Sequence, residues 1–275
     1  MIRVNAGRLW TTLEMMAQIG GTPAGGVTRL ALSEEDRIAR NLLRDWALEA
    51  GFTCDVDSMG NMFIRRAGTN PALAPVMTGS HVDSQPLGGN YDGIYGVLAG
   101  LELLRTLNDN NVQTERDIVL VNWTNEEGAR FAPAMLASGV WAGQLSEDFA
   151  YARMDSKRVT VREALEAIGY RGEIPARAFP VHACYELHIE QGPILEDEAI
   201  DIGLVRAAMG QRWFTIALDG FAAHAGTTPM PSRRDALTAF AELALKVEEI
   251  GYRHAPDGRA TIGMAEITPN SRNVV

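Results

Sequence analysis

Cysteine is nearly missing from this 275-residue chain, which holds only Cys54 and Cys184. Two thiols cannot build a disulfide framework, and neither stands at metal-ligand spacing from another, so they read as reduced thiols of a cytoplasmic protein. Long apolar runs are missing too: none approaches the roughly 20 residues that span a bilayer. The stretch from Met1 to Gly20 lacks the charged-then-apolar pattern of a signal peptide. Basic residues are scarce relative to acidic ones, 25 Lys and Arg against 35 Asp and Glu, for a net charge of −10. That balance disfavours nucleic acid and anionic membrane as partners. There is no internal repeat, low-complexity tract or long charge run. What remains is ordinary globular composition, 46% hydrophobic and 22% charged, which excludes a disordered segment. The length suits one large domain or two smaller ones, and the acid excess leaves carboxylates free for a metal site.

Hydrophobic periodicity organises the chain. Leu9, Leu13, Met16 and Ile19 form a helical stripe that Gly20-Gly21 ends. Ser33 followed by Glu34, Glu35 and Asp36 predicts an N-cap with an acidic first turn, and the helix runs to about Ala50 before Gly51. Phe52 to Val56 and Asn61 to Arg65 read as short strands around a Ser58-Met59-Gly60 turn. Val76 to Ser80 reads as a buried strand, Gly93 to Leu107 as a closely packed helix, and Asp117 to Trp123 as a continuous apolar strand. Strands alternating with helices of this length predict the α/β class, a three-layer α/β/α domain with a largely parallel sheet. Near Gly203 to Gln211 the texture changes. Trp213 to Leu218 reads as a strand, Ser232 to Gly251 as a helix and Thr261 to Ile267 as a strand. We therefore expect one domain over residues 1–207 and a smaller α+β sandwich domain that starts over 208–275.

Ligands of parallel sheets sit beyond the carboxyl ends of the strands, and the polar clusters fall there. His81-Val82-Asp83 follows one strand, Asp92 a glycine-rich turn at a helix start, Glu126-Glu127 the next strand, and His188 lies further on. Asp83, two residues from His81, projects the same way and is expected to set the imidazole's tautomer and orientation. Asp92 beside Gly88, Gly89 and Gly93 can bridge two ions. Consecutive glutamates diverge, so one can bind metal while the other faces substrate. Mixed imidazole and carboxylate donors suit zinc, with manganese plausible from the oxygen content. Each piece alone is weak, since a single His-x-Asp is usually a satisfied core histidine and a Glu-Glu pair usually a solvated face. The weight lies in their recurrence at successive element ends. His182 and His254 have no such setting and read as structural.

Five strings carry a resemblance: Gly79-Ser80-His81-Val82-Asp83-Ser84, Gly88-Gly89-Asn90-Tyr91-Asp92-Gly93, Asn125-Glu126-Glu127-Gly128-Ala129-Arg130-Phe131, His188-Ile189-Glu190-Gln191-Gly192-Pro193 and His224-Ala225-Gly226-Thr227-Thr228-Pro229-Met230. In order, from about Val4 to the last residue, the chain resembles the hydantoinase/carbamoylase family within the aminoacylase and carboxypeptidase-like metallohydrolases. That family includes N-carbamoyl-L-amino-acid hydrolases, β-ureidopropionases and allantoate amidohydrolases, and His188 separates this branch from relatives with a glutamate there. The resemblance implies a catalytic metal-binding domain and a dimerisation or lid domain. It implies two divalent ions, Zn2+ or Mn2+, the first held by His81, His188 and the bridging Asp92, the second by Asp92, Glu127 and one more histidine. Glu126 would be the general base for a metal-bridging water and then the acid for the leaving nitrogen. His224 would enter the partner subunit's active site in a homodimer and stabilise the oxyanion, a contribution of roughly 3–4 kcal/mol. Gln191, Asn273 and His224 would contact the substrate.

The family's last metal-ligating histidine and its carboxylate-clamping arginine fall beyond the second domain, whereas no histidine follows His254 here. The chain is therefore expected to be a fragment of a longer protein, holding one ion by itself. The activity implied is hydrolysis of a ureido C–N bond of an N-carbamoyl-L-amino acid, an amide bond other than a peptide bond. The alternatives are allantoate amidohydrolase in ureide catabolism, aminoacylase or dipeptidase activity, and a non-catalytic binding or dimerisation module.

Overall fold

The computed structural model describes residues 2–275 and divides into two compact units, the first ending at Gly203 and the second spanning Leu204–Val275. The first unit opens with α1 (Ala6–Ala17), whose N-cap Asn5 accepts the Arg8 amide through its side chain. Next comes α2 (Glu34–Glu49), capped by Ser33 with Glu34, Glu35 and Asp36 in its first turn. Acidic side chains there meet the positive end of the helix dipole. Gly51, at φ 81, then turns the chain out of α2.

Five strands form one mixed α/β sheet: β1 (Thr53–Val56), β2 (Met62–Arg66), β3 (Val76–His81), β4 (Ile118–Trp123) and β5 (Ala183–Tyr185), in the order β1-β2-β4-β3-β5. The sheet is less parallel than the periodicity suggested. β1 pairs antiparallel with β2, and β2 antiparallel with β4. For the first pair the cause is local: only a tight turn separates β1 from β2, and a turn that short can join only antiparallel neighbours. β3 runs parallel to both β4 and β5, with His81 opposite Trp123 and Thr78 opposite Tyr185. Helix α3 (Ile94–Asp109) makes the crossover between β3 and β4.

Alternation sorts each strand between two cores. Met62, Ile64 and Leu120 face the larger one, with Val97, Leu98, Leu101 and Leu104 of α3 and Ala39, Leu43 and Trp46 of α2. Phe63, Met77, Val119 and Val121 face the smaller one, covered by Trp123, Trp141, Phe179 and Val181. Short helices α4 (Leu136–Trp141), α5 (Glu147–Tyr151), α6 (Val161–Ile168) and α7 (Ile194–Asp197) complete this unit.

The second unit carries a 3-10 turn at Met230–Ser232 and the long helix α8 (Ala236–Arg253), capped by Asp235. The strands expected at Trp213 to Leu218 and Thr261 to Ile267 do not form. Among the described residues, pairing in this unit is the isolated antiparallel bridge between His224 and Val274. The two segments keep the apolar pattern of strands, but their side chains stay in solvent, with Phe214 77% and Met264 78% exposed. A strand exists only through a hydrogen-bonded neighbour, which periodicity cannot supply.

Candidate metal centre

Because β3, β4 and β5 are parallel, their carboxyl ends lie along one edge of the sheet, and the candidate residues gather there. His81 is the last residue of β3 and is 2% exposed. Its Nδ1 lies 2.8 Å from the main-chain carbonyl oxygen of Asp83. A carbonyl only accepts, so Nδ1 carries the proton and Nε2 is left as a lone-pair donor for a cation. The expected role of Asp83 is thereby corrected. Its carbonyl, not its carboxylate, orients the ring; the carboxylate stands 3.9 Å from Nδ1. The Asp83 carboxylate instead accepts the main-chain amides of Glu126 and Glu127, each at 3.3 Å, tying the β3 end to the β4 end.

Asp92 precedes Gly93, the N-cap of α3, which sits at φ 65. A Cβ at Gly93 would lie inside the His81 imidazole, so only glycine lets the helix start pass beneath the ring. His188 follows β5, with its Nε2 3.4 Å from Asp92 Oδ1 and its Nδ1 2.8 Å from the Ile189 carbonyl. One ligand atom from each of His81, Asp92 and His188 lies within 4.8 Å of the other two. Donors bound to a common ion at about 2.1 Å sit roughly 3.4 Å apart; His188 and Asp92 stand at that spacing, and the three residues together could hold a single divalent cation.

Glu126 and Glu127 diverge as consecutive residues must. Glu126 Oε2 is 3.4 Å from His81 Nε2, while Glu127 Oε2 accepts from Gln85 at 3.1 Å. The other Glu127 oxygen, Oε1, is buried without a protein partner. An orphaned buried carboxylate oxygen in the field of Asp92 and His81 is what a cation would satisfy. Burial pushes the carboxyl pKa of Glu126 up, and the field of Glu127 adds to it against that of His81. Burial likewise pushes Glu127 up, with Asp92 adding to the crowding of negative charge. The loop that presents both is held by Asn125, at φ 54, whose side-chain amide donates to the Phe131 carbonyl at 2.8 Å.

Gln191 donates from Nε2 to Asp92 Oδ2 at 2.6 Å, which places it at the triad. His182 lies just before β5, at the opposite end of that strand from His188. His224, Asn273 and His254 belong to the second unit. There, Asn273 lies beside His224, its carbonyl accepting the Ala225 amide at 2.9 Å. His254 is the C-cap of α8.

Residue patterns did not point to several participants. Gln85 braces Glu127. Glu186 accepts from the buried Ser80 hydroxyl at 2.5 Å, joining β5 to β3 beside His81. Two arginines, Arg29 and Arg40, are wholly buried behind the strand ends. The Glu-Leu-His spacing from Glu186 to His188 is the one sequence signal that marks Glu186, since alternate residues share a face.

The parallel strand ends of this α/β sheet thus converge on two imidazoles and a set of carboxylates, a candidate cation site of the kind a metallohydrolase would use. Residues 77–267 match the model of peptidase family M20/M25/M40. The chain is 47% identical over 273 residues to an N-carbamoyl-L-amino-acid amidohydrolase of Rhizobium meliloti, covering 99% of this chain and 66% of that one. It is 34% identical to a ureidoglycolate hydrolase of Arabidopsis thaliana, over 100% of this chain and 60% of that one. Among solved structures, an amidase of the hydantoinase/carbamoylase family from Burkholderia vietnamiensis superposes with a TM-score of 0.97 at 55% identity, over 99% of this chain and 66% of that one. The chain therefore belongs to peptidase family M20/M25/M40 and, within it, to the hydantoinase/carbamoylase family. It spans about two thirds of the length of these bacterial relatives, 66% in both cases.

Proposed function

We propose that the protein is a metal-dependent amidohydrolase that cleaves the carbamoyl C–N bond of N-carbamoyl-L-amino acids. Water and the ureido group give the free amino acid, ammonia and carbon dioxide. The observation that carries this reading is the placement of Glu126 against the His81, Asp92 and His188 triad, a carboxylate base beside a cation site. The name borne by the Rhizobium meliloti relative favours the N-carbamoyl-L-amino acid over other ureides.

In this reading His81, Asp92 and His188 hold one divalent ion, Zn2+ or Mn2+, and Asp92 and Glu127 contribute to a second. A bound ion acidifies water and polarises the scissile carbonyl. Glu126 takes the proton of the attacking water, and its raised pKa suits a base that must then return the proton to the leaving nitrogen. Gln191, hydrogen-bonded to Asp92, offers its amide to the ureido group. Residues 1–207 form the catalytic domain, and 208–275 begin a dimerisation or lid domain. His224 acts in trans within a homodimer. Its Nδ1 accepts the Gly226 amide at 3.0 Å and the Thr227 amide at 3.2 Å, so the proton sits on Nε2 as a donor for an oxyanion. Asn273, beside it, contacts the substrate carboxylate. The two unpaired cysteines support a cytoplasmic location.

The test is ammonia release from N-carbamoyl-L-amino acids, N-carbamoyl-β-alanine and allantoate in parallel. We expect turnover of the first class, and Glu126→Gln is expected to lower it by at least about 100-fold while metal content stays the same. A preference for allantoate would move the protein to that branch of the family. Undiminished turnover by Glu126→Gln would remove Glu126 as the base.

A further inference from the structure

The three residues after β3 have no strand to pair with, yet their peptides set the geometry of His81. Two of the peptide units, Val82–Asp83 and Asp83–Ser84, are held by one buried residue, Arg29. Its Nε donates to the Val82 carbonyl at 2.7 Å. Its own amide donates to the Ser84 hydroxyl, and its carbonyl accepts the Ser84 amide, both at 2.9 Å. The Ser84 amide belongs to the same peptide unit as the Asp83 carbonyl that accepts His81 Nδ1–H. One rigid plane thus joins Arg29 to the imidazole, and the plane before it, carrying the Val82 carbonyl, is also bonded to Arg29.

The rest of the guanidinium is anchored in turn. Nη1 donates to the carbonyls of Met16 at 3.0 Å and Ile19 at 2.7 Å, respectively within and just past the end of α1. The side chain is 0% exposed. Burial works against its charge, opposed by the fields of Asp36 and Asp83. A cation kept dry in this way, bonded to main-chain carbonyls, is costly to the fold unless its geometry serves a purpose. No catalytic motif includes it.

We propose that Arg29 is the positioning residue of the metal centre: by pinning the peptides on both sides of Asp83 it fixes the tautomer and orientation of His81, leaving Nε2 toward Asp92 and His188. The inference rests on the metal-centre reading above. Residues that orient a ligating imidazole through its second nitrogen typically matter 10–100-fold for metal affinity.

The experiment titrates chelator-stripped protein with Zn2+ and follows the His81 Nδ1–H signal by NMR. Arg29→Met removes the side-chain bond to the Val82 carbonyl while the main-chain bonds to Ser84 stay; it should bind Zn2+ about 10–100-fold more weakly and lose the slowly exchanging Nδ1–H resonance. Arg29→Lys, which keeps the charge and reaches one carbonyl but lacks the fork, should fall between Arg29→Met and wild type, and it carries the test if Arg29→Met does not fold. Arg66→Met removes an arginine that also donates to a main-chain carbonyl, that of Val112 at 2.5 Å, but at the opposite edge of the sheet. It should leave Zn2+ affinity unchanged. Wild-type affinity together with an unaltered His81 signal in the folded Arg29 variants would overturn the proposal. Wild-type protein that took up no Zn2+ would overturn the metal-centre reading itself, and this one with it.

Discussion

At position 93 one methyl group decides whether the centre forms. Gly93 lies under the His81 ring at a positive φ, and any Cβ would occupy the ring's own space. Gly93→Ala is expected to displace the imidazole or the start of α3, lowering Zn2+ affinity by at least 10-fold in an isothermal titration. Wild-type affinity in that variant would mean that the helix start yields at no cost. The candidate residues His81, Asp92, Glu126, Glu127 and His188 stood out as residue types at element ends, and the structure brings ligand atoms of His81, Asp92 and His188 together. The work of Asp83 was not legible, because its carbonyl rather than its carboxylate meets His81. Main-chain contacts leave no trace in residue identity. For the same reason Arg29, whose guanidinium bonds to main-chain carbonyls alone, carried no signal.

The same distinction holds for the elements. α2, α3, β3 and β4 are long or strongly patterned and were legible; α4, α5 and β5 are too short for periodicity to register. The turn between β1 and β2 shows how an element bears on stability. Asp57 accepts the amides of Met59 and Asn61, both at 2.9 Å, and the Asn61 side-chain amide at 2.8 Å. Asn61 in turn accepts the Thr124 amide at 3.0 Å, at the root of the glutamate loop. Burial pushes the Asp57 carboxyl up to about 6 despite these bonds. Unfolded, it titrates near 3.9. Below that value the proton is bound in both states. Between about pH 4 and 6 the unfolded chain ionises while the folded one keeps its proton, so stability falls as pH rises, on the order of 3 kcal/mol in all. Asp57→Asn lacks this loss. Urea unfolding should show the variant gaining on wild type from pH 4 to 6 and running parallel above; parallel curves throughout would contradict the assignment.

At the scale of the molecule, the net charge of −10 gathers locally where three strand ends meet. Asp83, Asp92, Glu126 and Glu127 crowd one edge of the sheet, and burial pushes Asp83 up to about 6. Such a cluster is relieved by protons or by a cation. Among the described residues no helix is long and apolar enough to cross a membrane. The fold class was legible from the alternation of strands and helices. The antiparallel edge and the unpaired segments of the second unit were not, because pairing partners are a property of the assembled chain. Metal dependence tests the account most directly: ammonia release from an N-carbamoyl-L-amino acid, measured on chelator-stripped protein before and after Zn2+ or Mn2+ is restored. The expected result is turnover lost on stripping and recovered with the ion. Full turnover by the stripped protein would contradict it.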